Sequence, residues 1–364
     1  MRIRRITALE FHRVIDPPLW NPATVWRERR APLLRVEADD GTVGIGEAWC
    51  RQEEIGRSFA ALRRIAEGLP GRDPEEVRSR AEPSARDWPD AGAASALDMA
   101  LADLAARRAG RPLAALFGAA DAGVAAYASG GLYAPEKDPP MLAREMAGYV
   151  AAGFPAVKMK VGALEQHDDM IRVRAVRRAI GDAVLIVDGV ERYDREAAHM
   201  MAWRLADAGV AAFQAPMAAA DVAGLAWVAR RSPIPLVLGE AEFDHARLAG
   251  LVASGAAGWL QVNPGLVGGP TAMVRLAELA RRHGVPLSPQ CHATAVLQAA
   301  ALHCGTIPGV GWVEFHQVHD HLHALLPAEL RHPRGGRIAI PAAPGLGFDL
   351  PADATLRAVF RVPG

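Results

Sequence analysis

Between residues 124 and 315 the sequence repeats one unit, a short apolar run followed by a helical segment of about 12 to 16 residues. Strand candidates fall at 124–130, 156–161, 184–188, 211–215, 235–240, 259–263, 286–291 and 311–315. Alternating strands and helices build a parallel sheet, because each helix carries the chain back to the start of the next strand. Eight such strands predict a closed (β/α)8-type barrel, with chemistry at the mouth formed by the strands' C-terminal ends.

Upstream of the barrel the rhythm differs. Residues 3–14 alternate apolar and polar side chains. Residues 33–38 and 43–49 do so on either side of Asp39-Asp40-Gly41, a hairpin signal. Between them, 16–26 holds Pro17, Pro18, Pro22, Trp20 and Trp26 and reads as a shaped loop. Residues 54–116 are mostly helical, and the small, apolar run 93–105 predicts a helix buried on all sides. Gly110 and Pro112 should stop it. Past Leu325, Pro341, Pro344 and Pro351 with several glycines read as a tail returning to the first domain. The expected architecture of this 364-residue α/β chain has three parts. They are an α+β capping domain over 1–121, a modified TIM barrel over 122–324, and a segment over 325–364 that completes the capping domain.

Lys plus Arg and Asp plus Glu both number 41, so neither nucleic acid nor an anionic membrane is expected as a partner. No run of about 18 apolar residues is present, and MRIRRITALEFHRVI lacks the apolar core of a signal peptide. Cys50, Cys291 and Cys304 show no paired spacing, which fits a reducing compartment, so the expected location is the cytoplasm. Nucleotide-binding glycine motifs and a Gly-x-Ser-x-Gly elbow are absent.

The barrel rule turns strand ends into site candidates. The second strand ends Ala156-Val-Lys-Met-Lys-Val, so Lys158 and Lys160 share its interior side. Two ammonium groups this close lower each other's pKa, as does burial, and a neutral lysine can take a proton from carbon. A pair of solvated strand-end lysines would read the same way. The third strand ends at Asp188 and the fifth at Glu240. Such carboxylates suit a hard cation such as Mg2+, or equally cap helices and pair with the lysines. The run Phe315-His-Gln-Val-His-Asp-His-Leu-His323 would, if helical, put His316, His319 and His323 on one metal-binding face. A polar loop leaving the last strand is the plainer reading.

On these residues the chain resembles the mandelate racemase and muconate lactonizing group of the enolase superfamily. Asp40-Gly-Thr-Val-Gly-Ile-Gly-Glu-Ala is similar to that group's first-domain hairpin. Ala96-Leu-Asp-Met-Ala-Leu-Ala-Asp-Leu and Arg111-Pro-Leu-Ala-Ala-Leu-Phe-Gly118 are similar to its hallmark helix and helix exit. Lys158-Met-Lys160 matches its Lys-x-Lys motif, and Asp188 and Gly239-Glu240 match its first and third metal ligands. Asn263-Pro-Gly-Leu-Val-Gly-Gly269 is similar to the sixth-strand motif, and Trp312-Val-Glu314 matches the eighth-strand glutamate. The resemblance implies Mg2+-assisted removal of a proton next to a carboxylate. Lys160 would be the base, Lys158 would tune it, and Glu314 would orient or protonate. It also implies a homo-oligomer. The loop at 16–26, with Trp20 and Trp26, would close over the substrate together with the segment after Glu47.

The departures are as specific. Gln214 stands two residues before Pro216, where the group has its second metal-ligand glutamate. It offers a carbonyl oxygen but no charge, so Mg2+ held by Asp188, Gln214 and Glu240 should be weak or absent. Asn263 and Gln290 stand where an Asp and His acid/base pair is common. Neither shuttles a proton, which leaves them to position substrate. Val190 replaces a frequent asparagine. His292, two residues past Gln290, is a candidate replacement for the lost histidine. The expected function is a lyase, by dehydration or another β-elimination, or an isomerase, acting on a small hydroxy acid or sugar acid. The alternative is a barrel that has lost the metal and dyad chemistry, and that binds a small acid or runs metal-free lysine chemistry.

Overall fold

β1 (Ile3–Trp20) and β2 (Val25–Ala38) form one antiparallel ribbon in the computed structural model, which describes residues 1–79, 85–118, 123–318, 323–351 and 356–363. Residues 16–26, expected as a loop, are the tip of that ribbon. Pro17 and Pro18 fall in the break in register between Val14 and Leu19, so their missing N–H groups take nothing from the ladder. Asn21 closes the turn, its Oδ1 accepting from the N–H groups of Ala23 and Thr24 at 2.8 Å each. Trp20 and Tyr133 exchange backbone hydrogen bonds of 2.9 Å, which pins the tip to the barrel.

β3 (Val43–Glu47) pairs with β2, and α1 (Ile55–Ala66), α2 (Pro74–Ser79) and α3 (Trp88–Arg108) follow. Asp87 caps α3, its Oδ1 accepting from Asp90 N–H at 3.0 Å. As its composition predicts, α3 is buried on nearly every side. It lies so close to β3 that a Cβ at Gly44 or Gly46 would come within 2.0 or 2.1 Å of the carbonyl oxygens of Ala100 and Ala96. Only glycine permits that approach.

The parallel strands then run as β4 (Val124–Ser129), β5 (Ala156–Lys160), β6 (Val184–Asp188), β7 (Ala212–Gln214), β8 (Leu236–Leu238), β9 (Trp259–Val262), β10 (Leu287–Pro289) and β11 (Val313–His316). One helix joins each strand to the next: α4 (Pro139–Ala151), α5 (Gln166–Ala179), α6 (Arg195–Asp207), α7 (Val222–Ala229), α8 (His245–Ala253), α9 (Gly269–Arg282) and α10 (Ala295–Cys304). Neighbours in the sheet are β10-β9-β8-β7-β6-β5-β4-β11. Leu287 accepts from Gly311 N–H at 2.8 Å and donates to the Gly309 carbonyl at 3.4 Å, which brings the sheet's two ends together. The result is the (β/α)8-type barrel. Inside it, Tyr127, Ala156, Ile186, Ala212 and Val237 pack as an apolar floor. Strand alternation puts Lys158, Asp188 and Gln214 one step above that floor.

Past β11 no further α-helix occurs among the described residues. β12 (Arg337–Ile338) pairs with β4, and β13 (Leu356–Pro363) pairs with β1, so the tail does return to the capping sheet. Acids of the capping domain accept from N–H groups at the starts of barrel helices. Glu47 accepts from Thr294 at 3.1 Å and Leu297 at 3.0 Å, and Asp98 accepts from Thr271 at 2.9 Å. Those N–H groups have no partner within their own helix, and the helix dipole favours a carboxylate there. The capping domain is thereby fixed over the mouth. The boundary expected at 121/122 lies outside the described residues. Among the described residues no helix is long and apolar enough to cross a membrane.

Candidate active site at the barrel mouth

Two lysines and three carboxylates meet at the mouth. Lys158 is fully buried, with Nζ 2.7 Å from Glu314 Oε1 and 3.5 Å from Asp188 Oδ2. Lys160 also pairs with Asp188 Oδ2. The two lysines share the inward side, but like charge does not dominate. Burial pulls the Lys158 ammonium down, while Glu314, Asp188 and Glu240 more than offset it and hold Lys158 above the ordinary lysine range. The lowering expected from sequence is overturned for Lys158, because acids from other strands surround it. Burial pushes Asp188 up, but Lys160 and Lys158 outweigh it and hold the carboxyl below its usual range. Burial and the charge of Asp188 push Glu240 up to about 7.

Gln214 decides what this cluster can hold. Its Oε1 accepts from Lys158 Nζ at 3.0 Å, and its amide nitrogen donates to Glu240. Asp188 Oδ1 accepts from Val190 N–H at 2.9 Å, and Oδ2 meets both lysines. An ion held by Asp188, Gln214 and Glu240 needs their oxygen lone pairs turned to one point. The oxygens of Asp188 and Gln214 already face hydrogens, and Glu240 takes one from Gln214. So placed, the residues do not fit Mg2+, which demands near-octahedral oxygen ligands. Among the described residues no group of three or more His, Cys, Asp or Glu side chains is placed to hold a metal ion.

A cavity of about 300 Å3 opens above the cluster. It is lined by Lys160, Glu240 and Glu314 from the barrel, by Trp26 from the ribbon, and by Trp49, Arg51 and Gln52 from the segment after Glu47. Gln290, His292 and His316 line it from the ends of the last two strands. Lys158, Asp188 and Gln214 lie beneath, fully buried. Trp20 does not line the cavity. Its ring stacks on Tyr133 at 6.1 Å, and it anchors the ribbon tip. Asn263 is also set back, its Nδ2 donating to Gln290 Oε1 at 2.7 Å and its Oδ1 accepting from Gly265 N–H at 2.8 Å. These two amides touch as an acid/base pair would, with no proton to exchange.

His292 comes to the cavity, edge-on to Trp26 at 5.3 Å and 4.4 Å from the ring of His316. His316 ends β11 and is not helical, so the helical His316, His319 and His323 face does not form there. His319 lies outside the described residues. His316, the first histidine of the run leaving the last strand, lines the cavity, and strand alternation past Glu314 points to it. Arg29 and Arg51 had no such signal. Arg29 donates to the His292 carbonyl at 2.5 Å, and the Arg51 guanidinium lies 3.6 Å over the Trp88 ring. Both come from the capping domain, whose placement over the barrel no local pattern encodes.

Known proteins share this architecture. The family described as "Mandelate racemase / muconate lactonizing enzyme, N-terminal domain" matches residues 5–118, and "Enolase C-terminal domain-like" matches 141–354. D-galactarolactone cycloisomerase from Agrobacterium fabrum is 30% identical over 99% of this chain and 99% of its own. A solved mandelate racemase/muconate lactonizing enzyme-like protein from Rubrobacter xylanophilus is 30% identical with a TM-score of 0.84, covering 96% of this chain and 97% of its own. L-talarate dehydratase from a Polaromonas species, solved with Mg and L-glucarate, is 26% identical with a TM-score of 0.84, covering 100% of this chain and 99% of its own.

Proposed function

Since the chain belongs to the mandelate racemase and muconate lactonizing enzyme group of the enolase superfamily, we propose that it is an enzyme acting on the proton next to the carboxylate of a small hydroxy acid or sugar acid. A cycloisomerase and a dehydratase of such acids stand among its relatives. The place of Lys160 carries this reading. Of the paired lysines it lines the cavity, while Lys158 lies beneath. An α-proton presented there would meet the Lys160 amine once its ion pair with Asp188 opens and the amine is neutral. Arg29 and Arg51, which also line the cavity, supply positive charge for the acid's carboxylate. Glu314 keeps Oε2 without a hydrogen-bond partner among the described residues, so it can accept from a substrate hydroxyl.

His292 and His316 can protonate a departing hydroxide, whereas Asn263 and Gln290 cannot exchange a proton. One base with a separate acid favours dehydration or another β-elimination over racemisation, which wants a base on each face. Mg2+ is the ion that a member of this group would hold, through Asp188 and Glu240. Gln214 and the lysines engage those carboxylates, so no step is assigned to it.

A second reading is favoured by the Lys160–Asp188 ion pair. It holds Nζ on Asp188, away from any proton a bound acid would present. The chain would then bind a small acid without turnover. Incubating the protein with a panel of hydroxy and sugar acids in D2O separates the two. Deuterium entering next to the carboxylate with native protein, and not with folded Lys160→Ala, supports the enzyme. Exchange that survives in Lys160→Ala removes Lys160 as the base. Binding by calorimetry without exchange favours the second reading.

A further inference from the structure

The cluster beneath the cavity carries its own counter-charges. Lys158 and Lys160 stand against Asp188, Glu240 and Glu314, two cations against three carboxylates. A glutamate at 214 would make the count two against four, a deficit that one divalent cation would close. With Gln214 the deficit is at most one, and a divalent cation overshoots it. Leaving buried charge unbalanced in either direction is costly.

Geometry points the same way. A carboxylate at 214 has about four lone-pair sites, so it could accept from Lys158 and still face an ion. The amide has one oxygen, and Lys158 Nζ donates to it at 3.0 Å. Its other end carries hydrogens and donates to Glu240. Turning the amide over to offer its oxygen to an ion would press the NH2 group against the Lys158 ammonium. Gln214 and Lys158 are both at 0% exposure, so bulk water cannot take over the broken contact.

We propose that the Gln214 bridge from Lys158 to Glu240 stands in for the divalent ion of this enzyme group, which makes the barrel mouth a metal-independent site. The bridge fills the mouth whichever reaction runs there, so it does not rest on Lys160 acting as the base. Calorimetric titration of the whole chain with MgCl2 tests it, with MnCl2 as a second probe read by the EPR signal of free Mn2+. Native protein should show no saturable binding at millimolar concentrations, and Gln214→Glu should gain at least about tenfold in affinity. Sub-millimolar binding by native protein overturns the proposal. So does a Gln214→Glu variant that keeps its circular dichroism and gains nothing. If that variant does not fold, the native titration decides alone. Deuterium exchange after EDTA treatment keeps this apart from the enzyme reading. Exchange that persists supports both. Exchange lost and then restored by MgCl2 overturns metal independence and leaves Lys160 as the base. No exchange under either condition, alongside no Mg2+ binding, overturns the enzyme and leaves the metal-independent site standing.

Discussion

The side-chain oxygen of Gln214 lies 3.0 Å from Nζ of Lys158, and the same ammonium reaches Glu314 at 2.7 Å. Two groups with at most 1% exposure, Gln214 and Glu314, thus depend on one cation. Lys158→Met keeps the length of the side chain and removes the charge. It leaves Glu314 without its partner and Asp188 with one lysine in place of two. Breaking a buried ion pair from one side costs about 3–5 kcal/mol, so urea melts of Lys158→Met should lose stability on that scale. The Lys160 side chain is 13% exposed, and Lys160→Met should lose less than half as much. Equal losses would show that Lys158 is not the buried centre of the cluster.

Glu47 joins the two domains. Its carboxylate accepts from Thr294 N–H at 3.1 Å, Thr294 Oγ1 at 2.6 Å and Leu297 N–H at 3.0 Å. Glu47→Ala strands these donors in a buried place, at a cost of about 2–4 kcal/mol. Glu47→Gln keeps an oxygen acceptor and should cost less. Amide hydrogen exchange should rise in α10 and at the β3 edge in Glu47→Ala. Native-like exchange there would place the joint elsewhere.

The strand ends were legible because a strand repeats its inward side every second residue. Lys158 and Lys160 follow from that period, Asp188 and Glu240 from carboxylates that close apolar runs, and Gln214 and Glu314 from the family resemblance. Glu240 itself is off the period, since Val237 faces the floor and Gly239, with φ at 112°, breaks the alternation before it. The capping layer obeys no such rule. Trp20 and Trp26 flank one turn, yet Trp26 lines the cavity while Trp20 packs on Tyr133. The break in register between Val14 and Leu19 sets the ribbon apart from a regular hairpin, and prolines read in isolation look like a loop. The direction of the Lys158 pKa failed for a related reason. Chain neighbours show two like charges, whereas Glu314 and Asp188 arrive from β11 and β6. Gln214 as a departure from the family was visible at once, but its bridge to Glu240 required the neighbouring strand.

Val190 has φ at 49°, inside the left-handed region that a β-branched residue resists. Asparagine accepts that conformation more readily. Val190→Asn should therefore stabilise the protein by about 1 kcal/mol, raising Tm by about 2 °C. The backbone hydrogen bond from Val190 to Asp188 survives the change. Val190 also lines the cavity, so the new amide should shift the affinity for hydroxylated acids. An unchanged or lower Tm would mean that the apolar contacts of Val190 outweigh the strain.

His303 ties α10 to the exit of α3 and gives stability a pH dependence. It is fully buried, and its Nδ1 accepts from Ala114 N–H at 3.1 Å. Burial keeps the ring neutral and takes its pKa from 6.5 down to about 4. An unfolded chain picks up the proton near 6.5, the native one only near 4. Between those values the unfolded state binds more protons, so this contribution is complete above 6.5 and is lost as pH falls toward 4. The full window amounts to about 3 kcal/mol. Asp103 works in the opposite direction. Burial raises it from 3.8 to about 6, so the native state binds its proton first and gains stability as pH falls through that range. Comparing native protein with His303→Asn, in urea melts near neutral pH and near pH 5, removes the Asp103 contribution common to both. Native protein should lose more stability than the variant on acidification, by about 2 kcal/mol, because the variant has no ring to protonate. Equal losses in the two proteins would show that His303 does not titrate in that window.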